Sequence, residues 1–147
     1  MNKELAPKLK IYFAGSIRGG REDVKLYRDI IEHLKTYGKV FTEHVGDTEL
    51  DLLGKEKNTD KYIHDRDLNW LLTADIIVAE VTRPSLGVGY EIGRAIEQEK
   101  SILCLYRPKK GKYLSAMIKG SRDLVVKEYQ SLEEVKKIID TYIQRIF

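Results

Sequence analysis

A chain of 147 residues with 42% hydrophobic content has the size of one ordinary domain and enough apolar mass for a sizeable core. Its 26 basic and 23 acidic residues leave a net charge of +3, too small and too scattered for a nucleic-acid or membrane surface, although a small anionic ligand stays open. The opening MNKELAPKLK lacks the apolar stretch of a signal peptide, no apolar run approaches membrane-spanning length, and Cys104 is the only cysteine, so we expect a soluble, cytoplasmic protein with no intramolecular disulfide and no cysteine-based metal site.

In chain order, residues 1–9 read as a flexible terminus, and 1–147 as a single domain. KIYFAG reads as a first strand, followed by a helix over about 22 to 37 and a more polar edge strand, KVFTEHV, at 39 to 45. The polar stretch 46 to 60 reads as a surface loop before a helix over 61 to 74. DIIVAEV and SILCLY then flank a helix over 88 to 100, a short turn falls near 114 to 119, and DLVVKEY precedes a helix over 131 to 146. That last helix opens with the capping-box pattern Ser131-Leu-Glu-Glu134. KIYFAG, DIIVAEV, SILCLY and DLVVKEY lack polar alternation, as strands covered on both faces do. Alternating strands and helices predict an α/β fold: a doubly wound, five-stranded parallel sheet, flavodoxin-like or Rossmann-like, with helices on both faces. The strand order is not legible.

Ligands of such sheets bind beyond the carboxyl ends of the strands, where the unusual residues fall. Gly15-Ser-Ile-Arg-Gly-Gly20 leads from a strand into a helix, so its N–H groups and Arg18 can face an anion; without a Walker or full dinucleotide pattern, a tight turn with a solvated arginine is an equal reading. In SLGVGYEIGRAIEQEK, Glu91 is expected in the first helical turn, where it either complements the helix dipole or is kept ionised as a nucleophile. Asp67 shares a helical face with Ile63, Leu71 and Ala74. Burial there would favour the protonated form and suit a general acid, and the contrast with Glu91 is that of a glycosidase pair. The plainer alternative for Asp67 is a buried salt bridge to Arg66 or Arg94. Tyr12 reads as core. Ser85 and Ser115 read as loop or cap residues, and His33, His44 and His64 lack the paired spacing of a metal site.

Taken together, IYFAGSIRGGRED, TEHV, IHDRDLNWLLTADIIVAEVT, PSLGVGYEIGRA, ILCLYRP and LSAMIKG, in this order over roughly residues 10 to 120, closely resemble the 2'-deoxynucleoside 5'-phosphate N-hydrolases, a branch of the nucleoside 2-deoxyribosyltransferase superfamily. The resemblance implies a homodimer with shared active sites that needs no cofactor or metal. It implies hydrolysis of the N-glycosidic bond of deoxynucleoside monophosphates to free base and 2-deoxyribose 5-phosphate. By it, Glu91 is the nucleophile that forms a deoxyribosyl ester, Asp67 handles the proton on the departing base, and Tyr12 orients the nucleophile. Ser16, Ile17, Arg18 and Gly19, completed by Ser85 and Gly87, match the 5'-phosphate pocket, and Ser115 matches a serine that reaches into the partner's site. Ala14 departs from the family's usual cysteine, and the segment SRDLVVKEY is shorter than in animal relatives. A deoxyribosyltransferase and a non-catalytic nucleotide-sensing module remain rival readings; the phosphate-loop residues favour hydrolysis, and the intact trio speaks against a sensor.

Overall fold

The computed structural model describes residues 8–17, 21–44 and 59–147, without the side chains of Arg21 and Glu22. Five parallel strands, β1 (Leu9–Gly15), β2 (Gly38–Phe41), β3 (Ile76–Glu80), β4 (Ser101–Tyr106) and β5 (Val125–Glu128), form one sheet in the order β2-β1-β3-β4-β5. The connecting helices are α1 (Arg21–Leu34), α2 (Asp60–Thr73), α3 (Leu86–Glu97), the short α4 (Ala116–Lys119) and α5 (Leu132–Ile146). This is the flavodoxin-like winding, one of the two that the alternation of elements allowed.

Side chains of a strand alternate between faces, so each central strand supplies two cores. Ile11, Phe13, Ile76, Val78, Leu103 and Leu105 meet α1 and α5 on one face. Tyr12, Ala14, Ile77, Ala79, Ile102 and Cys104 meet α2 and α3 on the other. Both layers are apolar because parallel strands are covered on both sides, which is why polar alternation is missing from the sequence. β5 departs from that reading. Its composition groups it with the covered strands, yet it is the second edge strand and largely exposed, with Leu124 and Tyr129 buried at its ends instead.

Several boundaries follow from local chemistry. Helix α1 stops at Leu34 rather than 37, because the chain turns there: Tyr37 N–H donates to Leu34 O, and Leu9 N–H of β1 donates to Tyr37 O. Gly38 follows, at a place where a Cβ would lie 1.9 Å from Leu9 O, so only glycine lets β2 lie this close to β1. Thr59 and Ser131 cap α2 and α5 by accepting from Tyr62 and Glu134 N–H. The loop expected at 46 to 60 lies outside the described residues as far as 58, and Asp60 already opens α2.

The winding reverses between β1 and β3, whose carboxyl ends lie side by side at the pair Gly15 and Glu80. A crevice opens at such a switch point.

Candidate active site

Tyr12 points to the α2/α3 face of β1 because it lies one residue out of phase with Ile11 and Phe13, and there its hydroxyl donates to Glu91 Oε2, 79 residues further along the chain. Glu91 comes from α3, at the edge of the same face that packs on the sheet through Val88, Ile92 and Ala95. The position of Glu91 corrects the sequence expectation. Ser85 caps α3 by accepting from Val88 N–H, so the helix begins at Leu86 and its first turn holds no acidic residue. The dipole field falls off within that first turn, and burial prevails instead. Desolvation pushes the Glu91 carboxyl up to about 7; the Tyr12 hydrogen bond opposes this, and the nearby Glu43 adds to it. Burial, together with the Glu91 charge, likewise raises the Tyr12 phenol, so this hydroxyl stays a donor.

Two cavities meet at Glu91. One, of about 210 Å³, is lined by Ile63, Asp67, Leu68, Tyr90, Glu43 and Glu91. The other, of about 80 Å³, is lined by Tyr12, Ile17, Ser85, Gly87, Glu43 and Glu91, and by the end of β1. Glu91 thus stands on a wall common to a larger chamber with apolar sides and a smaller one beside the β1 loop. Asp67 is buried across the larger chamber, with Arg66 Nε and Nη2 both 3.0 Å from its Oδ1. Of the alternatives open for Asp67, the Arg66 salt bridge is therefore present, whereas Arg94 donates to the Tyr90 hydroxyl at 2.6 Å. The pair of carboxylates and the salt bridge coexist.

The family model for nucleoside 2-deoxyribosyltransferase matches residues 11–133 of the chain. The chain belongs to the nucleoside 2-deoxyribosyltransferase family. A protein of Nematostella vectensis, provisionally named 2'-deoxynucleoside 5'-phosphate N-hydrolase 1, is 59% identical over 88% of this chain and 90% of its own length. The 5-hydroxymethyl-dUMP N-hydrolase of Rattus norvegicus is 53% identical over 98% of this chain and 87% of its own. The solved structure of a Clostridium botulinum CMP N-glycosidase matches with a TM-score of 0.65 at 19% identity, covering 90% of this chain and 99% of that one, a likeness of fold.

In this family member the remaining candidates divide. Ser16 is buried just past the end of β1, and Ile17, which is exposed, lines the smaller chamber together with Ser85 and Gly87. Arg18 and Gly19 lie outside the described residues. Ser115 is not brought to Glu91 within the chain. It caps α4 and lines a separate groove of about 400 Å³ with Arg83, Leu86, Tyr113 and Met117, sharing only Ser85 and Val88 with the smaller chamber.

Three side chains at the site were not among the catalytic or binding candidates of the sequence reading, which named Arg66 only as a possible salt-bridge partner of Asp67. Glu43 lines both chambers, and burial raises its carboxyl. His44 packs edge-on against Phe13 and Tyr27, and with burial disfavouring its charged form its Nε2 is set to donate to Gly15 O at 2.9 Å, tying down the start of the β1 loop. Arg66 is the third. The only local signal for the first two was their place just after an edge strand, at the carboxyl end of the sheet.

A nucleophilic Glu91 must be ionised, so kcat/KM should rise with pH through a midpoint near about 7. A profile flat from about pH 5.5 to 8.5 would contradict this. The same shift bears on stability. A carboxyl whose folded value lies above its unfolded one contributes stability at low pH that is lost as pH rises between about 4.5 and 7. Glu91→Gln, which cannot ionise, should therefore stabilise the fold more at pH 8 than at pH 5, by on the order of 2 to 3 kcal/mol at the higher pH, seen as a larger rise in melting temperature there.

Proposed function

We propose that the protein hydrolyses the N-glycosidic bond of 2'-deoxynucleoside 5'-monophosphates, releasing free base and 2-deoxyribose 5-phosphate. The observation that carries this reading is the place of Glu91 between the two chambers. With the base in the larger chamber and the sugar phosphate directed into the smaller one, toward Ile17 and Ser85, C1' lies at the Glu91 carboxylate; by the motif resemblance Ser16, Arg18 and Gly19 join in holding the phosphate. The names carried by its relatives support the same chemistry.

In the first step a Glu91 oxygen bonds to C1' while the C1'–N bond breaks. The base leaves with that electron pair and takes a proton from Asp67. Tyr12 holds the attacking carboxylate in line through the hydroxyl hydrogen bond. In the second step water adds to C1', the bond to Glu91 breaks, and the proton shed by water returns to Asp67. Glu43, across the same chamber, is placed to hold that water. No step calls on a metal or an organic cofactor.

A deoxyribosyltransferase would share the first step and pass the sugar to another base. Product analysis on a panel of deoxynucleoside monophosphates, with and without a free acceptor base, separates the two. Release of 2-deoxyribose 5-phosphate regardless of acceptor is the expected result, and exchange without net hydrolysis would overturn the reading.

The active species we propose is a cytoplasmic homodimer in which Ser115 serves the partner's site. Ser115 lies beside Leu86, Tyr113 and Met117, which are 96%, 90% and 82% exposed, a cluster of apolar surface suited to cover by a second chain. A lone buried thiol, Cys104, fits a reducing compartment. Mixing Glu91→Gln protein with a Ser115 variant that blocks the phosphate should give hybrid dimers with one intact site, and activity above the sum of the two parents. Activity at that sum, with subunit exchange demonstrated, would mean that each site is built from one chain.

A further inference from the structure

Asp67 must present an oxygen to the departing base, yet it sits at the margin of a chamber on a helix whose neighbouring turns carry no other group that grips it. The grip comes from the preceding residue. Arg66 meets Asp67 Oδ1 through both Nε and Nη2 at 3.0 Å, with the arginine side chain 20% exposed and the aspartate 8%. Oδ2 makes no hydrogen bond among the described residues. Adjacent residues on a helix point about a quarter-turn apart, so this contact requires the guanidinium to be held back across the helix surface rather than extended into solvent. It is held by aromatic rings one turn away on either side. The guanidinium carbon lies 4.6 Å from the centre of the Trp70 ring and 5.8 Å from that of Tyr62. Trp70 is itself fixed, tilted against Phe41 of β2 at 6.0 Å and packed on the α2/α3 core. A continuous set of contacts runs from the edge strand through Trp70 and Arg66 to one oxygen of Asp67.

We infer that Arg66 is a positioning residue for proton transfer to the leaving base: it occupies Oδ1 of Asp67 from a seat on Trp70 and so directs Oδ2 toward the substrate. A stacked guanidinium does this where an ammonium would not, because only the planar group can lie on a ring and turn two of its N–H donors onto one oxygen. Binding of the sugar phosphate at the other chamber is untouched by it. The inference rests on the hydrolase reading for its catalytic consequence, while the placement of Asp67 is a property of the free protein.

The test uses Arg66→Met, which keeps the length and loses the donors, Arg66→Lys, which keeps the charge and loses the fork, and Trp70→Leu, which removes the seat. Steady-state kinetics on deoxynucleoside monophosphates with a poor and an activated leaving base should show kcat for the poor one falling roughly ten- to a hundredfold in Arg66→Met, with KM within about threefold and a much smaller loss for the activated base. Arg66→Lys should recover part of the loss, and Trp70→Leu should show the same leaving-group bias at smaller size. A merely structural role predicts equal losses on both substrates, and that result, or a change confined to KM, overturns the inference. Crystal structures of the ligand-free wild type and Arg66→Met separate the two claims. One Asp67 rotamer in the wild type and several in the variant is expected. An unchanged single rotamer overturns the positioning role even if the enzyme is a hydrolase. A scattered Asp67 in a variant of a wild type that releases no base overturns the hydrolase reading and leaves the placement standing.

Discussion

Glu91→Gln should lower turnover of a deoxynucleoside monophosphate by at least about a thousandfold while leaving its binding measurable, because the amide keeps the shape of the side chain and loses the anionic oxygen that attacks C1' in the proposed mechanism. Two features of the site make the loss large. The Tyr12 hydroxyl is aimed at this one carboxylate from a strand buried in the sheet, so no other acid can take over the same line of attack. Glu43, the other acid that lines both chambers, comes from beyond β2, and the Tyr12 hydroxyl donates to Glu91 rather than to it. Single-turnover kinetics with isothermal titration of the same nucleotide would check both halves. Activity within a few-fold of the wild type would remove Glu91 from the role of nucleophile, and with it the two-step mechanism. Lost binding together with lost turnover would assign Glu91 to substrate affinity instead.

The second large effect concerns the phosphate. A deoxynucleoside should be a worse substrate than its 5'-monophosphate by at least roughly a hundredfold in kcat/KM, because the proposed phosphate pocket would be left with unpaired donors when a neutral 5'-hydroxyl enters. Removing one partner from a charged hydrogen-bonded pair costs on the order of 2 to 5 kcal/mol, ample for that factor. The structure contributes Ser85, whose hydroxyl faces the smaller chamber at the amino end of α3, and the start of the β1 loop, where His44 holds the Gly15 carbonyl. A Cβ on Gly15 would lie 3.1 Å from the Tyr27 ring, so a side chain here would have to push that ring aside. Comparable rates on nucleoside and monophosphate would point to the transferase reading, in which the 5' end needs no charge recognition. Loss of the discrimination in Arg18→Ala, with kcat on the nucleoside unchanged, would assign the phosphate to that arginine.

Much of this protein was legible before any coordinates. The double-sided apolar strands KIYFAG, DIIVAEV and SILCLY announced a parallel sheet, because only strands covered on both faces dispense with polar alternation. Ser131 with Glu134 marked the start of α5, since capping is a matter of groups three residues apart. Glu91 and Asp67 were picked out by their places on helices, and Tyr12 was added to them by motif resemblance, which carries residue identity but no distance. What depends on contacts distant in sequence was not legible. The order β2-β1-β3-β4-β5 is set by which apolar faces bury one another, and the same alternation of elements is compatible with more than one winding. The ionisation of Glu91 was misjudged because starting α3 at Leu86 rather than 88 moves the carboxylate out of the dipole's reach, and because its burial is supplied by elements far away in the chain. In the sequence Glu43 is only a residue at a strand end and Arg66 only one of two possible salt-bridge partners of Asp67. Only the fold sets one on the wall of both chambers and seats the other on Trp70 against Asp67, since side-chain periodicity describes a face of one element and says nothing about what another element brings to it.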